Sequence, residues 1–176
     1  MADRAGRITA SMVHKVLKRK ARTPPDNLVR SILMYDINSK IVLQKNDPRE
    51  HGRLMEPVAR EAYIACSDSC RIVSENGLYV HLEKPYLAAS PDGIVVDESE
   101  ENPGLLEIKC PMSKLPVDAL AGQRKNFCLI MDEHGLKRNV NHQYYSQIQM
   151  QMAVTGHTWT DFVVFIDTDD GPSVFV

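Results

Sequence analysis

The chain has 176 residues, 43% of them hydrophobic and 25% charged, with a formal net charge of −2. That length suits one domain over 1–176, and the composition supplies a buried core and excludes disordered and fibrous classes. The charge sum does not advertise nucleic-acid binding, but Lys15 to Arg22 is strongly basic and Asp97 to Glu101 and Asp167 to Asp170 are acidic, so local fields outweigh the total.

No apolar run approaches the roughly 18 residues of a membrane span, and the opening MADRAGR does not read as a signal peptide. The expectation is a soluble intracellular protein, nuclear or cytoplasmic, with no membrane partner. Cys66, Cys70, Cys110 and Cys128 read as reduced, buried thiols, because the Cys66–Cys70 spacing alone is weak evidence for a metal.

In chain order, Thr9 or Ser11 is placed to cap a helix whose apolar residues Met12, Val13, Val16 and Leu17 recur at helical spacing. Its other side carries Lys15, Lys18 and Arg19, either a solvated face or one for phosphate contact. Pro24-Pro25 ends that helix. A second helix is predicted over Leu28 to Ile37, with Leu28, Ile32 and Tyr35 on one face, and a polar loop over Asn46 to His51. Gly52 to Cys66 repeats apolar residues at Met55, Val58, Ala59 and Ala62, the pattern of a helix packed by one face. Glu56 stands beside that stripe, and Pro57 should restrict it or bend the helix. Arg71 to Leu82 alternates around Asn76-Gly77 and predicts strand structure.

The stretch Ser90 to Pro111, SPDGIVVDESEENPGLLEIKCP, is the most informative. Asp92 to Val96 and Leu105 to Cys110 read as strands, with turn chemistry between them, so a hairpin is expected. Alternation puts Leu105, Glu107 and Lys109 on one face. A hairpin symmetric about its loop sets Asp92 across from Lys109 and diagonal to Glu107. Two converging carboxylates are costly to desolvate without a cation between them, and a hard divalent ion such as Mg²⁺ or Mn²⁺, with the Lys109 ammonium beside it, is the simplest answer.

Downstream, a short helix is expected over Asp118 to Gln123 and a small peripheral hairpin over Phe127 to Met131 and Leu136 to Val140. Asn141 to Thr155 is predicted as the last helix, stopped by Gly156, with Tyr144, Gln147, Ile148 and Gln151 on one face. Trp159 to Ile166 reads as a strand, and Ser173 to Val176 starts another that breaks off, the look of a domain trimmed at its C-terminal side.

Ser90-Pro91-Asp92-Gly93 with Leu106-Glu107-Ile108-Lys109-Cys110-Pro111 resembles the core of the PD-(D/E)XK nucleases, in detail the YqaJ-type viral recombinase and phage lambda exonuclease family. RAGRITAS at Arg4 to Ser11, GRLMEPVA at Gly52 to Ala59 and YYSQIQ at Tyr144 to Gln149 match further motifs in the family's order. The resemblance implies an α/β restriction-endonuclease-like core, a mixed central sheet flanked by helices. It implies metal held by Asp92, Glu107 and the Ile108 backbone carbonyl, with Glu56 acting directly or through water. Lys109 then steadies the attacked phosphate, Gln147 orients the site with Tyr144 in support, and Arg4, Thr9 and Ser11 hold a 5′ phosphate. An acidic residue that lambda-type enzymes carry about ten positions before the Ser-Pro-Asp-Gly aspartate is absent here, where Leu82 stands.

The function so implied is Mg²⁺-dependent 5′-to-3′ exonuclease digestion of linear duplex DNA ends in recombination or mobile-element processing. The resemblance also implies a ring-shaped homotrimer and a single-strand annealing protein as partner. The alternatives are a structure-specific endonuclease and a catalytically inactive DNA-end-binding module.

Overall fold

A computed structural model of the chain describes residues 4–33, 47–66 and 71–176. Among the described residues, ten strands and five helices follow in order: β1 (Ile8–Thr9), α1 (Val13–Leu17), α2 (Asp26–Leu33), α3 (Pro48–Ala65), β2 (Arg71–Ser74), β3 (Tyr79–Val80), β4 (Leu87–Ala89), β5 (Gly93–Asp97), β6 (Gly104–Lys109), α4 (Val117–Gln123), β7 (Leu129–Asp132), β8 (Gly135–Arg138), α5 (Gln143–Thr155), β9 (Thr160–Thr168) and β10 (Gly171–Phe175). The main sheet runs β10-β9-β6-β5-β2 and is mixed: β6 and β9 are parallel and the other neighbours antiparallel. A small sheet, β1-β4-β3, and the β7-β8 hairpin complete the architecture.

Alternation along β9 splits the core into two layers. Phe162, Val164 and Ile166 pack with Val117, Leu120 and Ile148 of α4 and α5, while Val163 and Phe165 pack with Ala59 and Tyr63 of α3 and with Leu106 and Ile108 of β6. Covered on both faces, β6 is buried from Gly104 to Ile108, as a central strand must be. A third cluster, Ala10, Ala89 and Met150, seats the N-terminal segment on α5.

Several expectations shift. The Asn46 to His51 loop is replaced from Pro48 onward by helix, because Asp47 accepts the Arg49 N–H at 2.8 Å as an N-cap and Pro48 occupies the first turn. That helix runs on through Pro57. The first helix is one turn of 3₁₀ and five α residues, and neither Thr9 nor Ser11 caps it with a side chain; their hydroxyls bond each other at 3.1 Å. The second helix begins at Asp26, and the part predicted over 34–37 lies outside the described residues, as does Cys70. Cys66 is exposed, while Cys128 is buried as expected. The last helix is stopped by Gly156, left-handed at φ 82°.

The hairpin forms with a different register. Gly93 pairs Leu106 and Val95 pairs Gly104, so Asp92 falls opposite Glu107 rather than Lys109. Val96 and Asp97 do not turn toward β6; they continue along β5 to pair with Ile72 and Arg71 of β2, and Arg71 Nε donates to Asp97 at 2.7 Å. The reversal is therefore asymmetric.

Gly104 opens β6 beneath Trp159, whose indole N–H donates to the Asn102 carbonyl at 2.8 Å; a Cβ at 104 would overlap the indole ring. Gly104→Ala should therefore lower the unfolding free energy by about 1–3 kcal/mol, the usual cost of overpacking. Urea unfolding checks this as a lower midpoint at unchanged slope, and an unchanged midpoint would show that Trp159 moves aside freely.

Candidate active site

Two adjacent strands and the helices that cover them build the site. Glu107 is 1% exposed at the middle of the sheet. Its register partner on β9 is Phe162, which places it on the α5 side. A buried carboxylate survives only with full hydrogen bonding, and here three donors supply it. Glu107 Oε1 accepts from Lys109 Nζ and Gln147 Nε2, and Oε2 accepts from Gln151 Nε2 at 2.6 Å. Gln147 and Gln151 stand one helical turn apart, so α5 delivers two amides to one group.

Lys109 follows Glu107 by two residues and shares its face. Its ammonium lies 4.8 Å from the centroid of the Tyr144 ring, a cation–π contact. Burial on its own would depress the lysine pKa, but the Glu107 and Asp92 carboxylates outweigh it and hold the group well above the ordinary lysine range. The pair with Glu107 therefore favours the ammonium form of Lys109.

Asp92 immediately precedes β5. Its N–H donates to the Leu106 carbonyl at 2.9 Å and its Oδ2 accepts the Ile108 N–H at 2.7 Å, so the side chain is bound to the backbone of the strand that carries Glu107 and Lys109. Burial, then the neighbouring Glu107, push its carboxyl up to about 7, against the pull of Lys109 and the Ile108 N–H. Glu56 joins from α3. Arg60, one turn further on, donates through Nη2 to Glu56 Oε1 at 3.1 Å and to the Asp92 carbonyl at 2.9 Å. Gly93 lies beneath Val73, where a Cβ would sit 2.8 Å from Val73 Cγ1 but at an ordinary 3.5 Å from Arg60 Nη1.

These groups surround a cleft of about 510 Å³ whose wall includes Glu56, Asp92, Ile108, Lys109 and Tyr144. Gln147 reaches the same cluster through Glu107. Arg4, Thr9 and Ser11 do not line the cleft: Arg4 is in the turn before β1, Thr9 is buried, and Ser11 is on the 3₁₀ turn beside α5. Cys110 and Cys128 also line it, with burial pushing their thiols up to about 11 and about 12, which makes them unreactive.

Sequence reasoning passed over two contributors. Gln151 was visible as a polar residue on the inward face of α5, and Arg60 as the i+4 neighbour of Glu56. Neither residue type announces such a role without the fold.

The donor chemistry can be tested against a bound cation. Among the described residues no three His, Cys, Asp or Glu side chains form a ready-made metal cluster. The Asp92 carboxylate, the Ile108 carbonyl and Glu56 nevertheless offer only oxygen on the cleft wall, the preference of a hard divalent ion. Lys109 pairs with Glu107, while Asp92, pushed up by burial and then by Glu107, is in none of the ion pairs of the described residues. The residues fit one further cation.

Asp92 keeps its proton to about pH 7 when folded, against an ordinary value of 3.8. The folded state thus binds the extra proton between those values and loses stability as pH rises through that window. Lys109 stays charged throughout. Asp92→Asn should leave stability unchanged below pH 4 and raise it above pH 7 by on the order of 2–4 kcal/mol. Unfolding of both proteins in EDTA from pH 4 to 8 measures this; a difference flat across pH would disprove the buried, under-neutralised carboxylate.

Comparison with known proteins bears on the fold and the family. The crystal structure of an alkaline exonuclease, LHK-Exo, from Laribacter hongkongensis superposes with a TM-score of 0.64 at 30% identity, covering 99% of this chain and 78% of that one. Its complex with dAMP gives 0.65 at the same identity and coverage. A SOX–DNA complex shares the fold alone, at TM-score 0.61 and 13% identity over 95% of this chain and 54% of that one. No curated protein matches the sequence. The α/β core with its mixed sheet is thus that of alkaline exonucleases, and with residues 1–158 matching the YqaJ-like viral recombinase domain, the chain belongs to that family.

Proposed function

We propose that this protein is a divalent-metal-dependent deoxyribonuclease that digests linear duplex DNA from its ends, 5′ to 3′. The observation that carries the reading is the Asp92–Glu107–Lys109 set, centred on the buried Glu107, roofed by Gln147 and Gln151 and open to a cleft beside Glu56. Its similarity to an alkaline exonuclease over 99% of the chain supports the exonuclease class.

Mg²⁺ or Mn²⁺ held by Asp92, the Ile108 carbonyl and Glu56 would supply a water of lowered pKa and polarise the scissile phosphate, and Glu107 would join as a ligand by giving up its bond to Lys109 or Gln147. The chain's own groups do the rest. Lys109, whose ammonium form the Glu107 and Asp92 carboxylates favour, places its charge beside the attacked phosphate. Gln147 and Gln151 hold the Glu107 carboxylate in one orientation, and Tyr144 fixes the ammonium from below. Arg60 keeps Glu56 in register with Asp92 by gripping both elements. Arg4, Thr9 and Ser11, from the matching N-terminal motif, are assigned to a 5′ phosphate. Duplex DNA ends, a homotrimer and an annealing protein complete the reading as partners.

The decisive experiment is digestion of linear duplex DNA with 5′-phosphate or 5′-hydroxyl ends, with closed circular DNA alongside, in Mg²⁺ or EDTA. Metal-dependent loss of linear DNA only, faster from 5′ phosphate, is expected, and Lys109→Ala should reduce it at least about 10³-fold. Cutting of the circle would make the protein an endonuclease; cleavage that persists in EDTA would remove the metal from the reading, and absent cleavage with intact DNA binding would make it an end-binding module.

Arg60→Met should lower kcat by about 10–100-fold, the usual effect of removing a group that orients the reacting ones. The DNA Kd in EDTA should stay unchanged. A loss confined to Kd would place Arg60 on the DNA instead.

A further inference from the structure

The cleft is not isolated. His142, which caps α5 by accepting the Tyr144 N–H at Nδ1, lines it and also lines a second cavity of about 580 Å³. The connection from α4 to β7 is the partition between them: Arg124, Phe127 and Cys128 line the cleft, and Lys125 and Asn126 line the second cavity. Across the cavity stand His14 of α1 and Asn141 and Gln143 at the start of α5, and no acidic residue is in the lining. His14 Nδ1 and Ser146 Oγ, 3.0 Å apart, pin α1 to α5 and fix that wall.

The charges on the two rims of the cleft differ in availability. Arg49 and Arg53, on α3, are tied to Asp47 and Glu50 of their own turn. Arg124 and Lys125 are exposed, and neither has an acidic partner among the ion pairs of the described residues. Their Cα atoms are adjacent, about 3.8 Å apart, so two uncompensated cations straddle the partition. The positive end of the 13-residue α5, with no acid in its first turn, opens on the same side. Cations, amide and imidazole donors and a helix N-terminus, without a competing carboxylate, match a phosphodiester backbone.

Resting on the nuclease reading, we propose that the second cavity is a strand subsite, which takes the sugar-phosphate backbone of the cut strand beyond the scissile phosphate. Arg124 and Lys125 flank the link between the two cavities, and the amides of Asn126 and Asn141 bond the backbone without reading sequence.

The test is binding, read in EDTA so that it does not depend on turnover. The Kd of a 5′-fluorescein single-stranded 12-mer would be measured by anisotropy at several salt concentrations for the intact protein, Lys125→Ala, Lys125→Glu and, as a control on an exposed lysine outside both cavities, Lys20→Glu. Lys125→Ala should weaken binding about 3–10-fold and lower the salt slope by about 0.7, one single-strand phosphate contact. Lys125→Glu should weaken it further, while Lys20→Glu binds the strand as the intact protein does. Unaltered binding by Lys125→Glu, an equal loss in Lys20→Glu, or no strand binding at all would overturn the subsite. So would dAMP competing away the Lys125-dependent part, which would make the cavity a mononucleotide pocket. Lys125-dependent binding in a protein that never cleaves DNA would uphold the subsite and remove the nuclease reading instead.

Discussion

A single carboxylate, buried at the centre of the sheet, is the constraint to which the rest of the structure answers. Glu107 at 1% exposure would be untenable alone, because an unpaired ion in a low-dielectric interior costs several kcal/mol even after relaxation. Its neutralisation recruits Lys109 from the same face of β6 and two amides from α5. That requirement fixes the rotation of α5 about its axis: Gln147 and Gln151 must point at the strand, so Ile148 and Met150 are left to pack to either side. The polar seam along an otherwise core-facing helix is thus a consequence of one residue on β6.

Stability alone would not select this arrangement, since a well-packed hydrophobe of similar volume would serve a central strand at least as well. A polar cluster kept where the fold would prefer hydrocarbon is the kind of local conflict found at functional sites. The opposite layer shows the contrast. On the α3 side, Leu106 and Ile108 meet Ala59, Tyr63, Val163 and Phe165 with no ion among them, and the charged groups Glu56, Arg60 and Asp92 gather only beside the cleft. One strand therefore presents an apolar face for folding and an ionic face for chemistry, because its side chains alternate.

Most elements were legible in the sequence because their signals are local. The spacing of Met55, Ala59 and Ala62 gave α3, Gly156 gave the end of α5, and the apolar run before Asp167 gave β9. The start of α3 was misread because Asp47-Pro48 is equally good turn and N-cap chemistry, and the sequence offers no way to choose. The hairpin register was misjudged for a different reason. Symmetry about the loop assumes that the hairpin is the whole sheet, whereas β2 pairs with Val96 and Asp97 and draws the end of β5 away. Within the site, strand alternation alone groups Glu107 with Lys109, and the hairpin and the family motif bring in Asp92, but the meeting of Glu107 with Gln151 spans 44 residues and depends on how α5 docks. Such long-range polar partners are legible only once packing is known.

The chain's total charge is a poor guide to its surface for the same reason. Much of the acid that makes the sum −2 is spent locally: Asp97 on Arg71, Asp47 on Arg49, Glu50 on Arg53, and Asp167 and Asp169 on Lys114. Within the cluster, Lys109 is cancelled by Glu107. What remains is a cleft whose acidic wall is still short of positive charge and, immediately beside it, the uncompensated Arg124 and Lys125. Low-dielectric walls concentrate the field of such a pairing far more than the same charges would on open surface. An acidic site favours a cation, and the basic rim favours an anion next to it. A phosphate bridged by a metal ion is the ligand that satisfies both demands at once, which is why the local arrangement, and not the sum, carries the functional information.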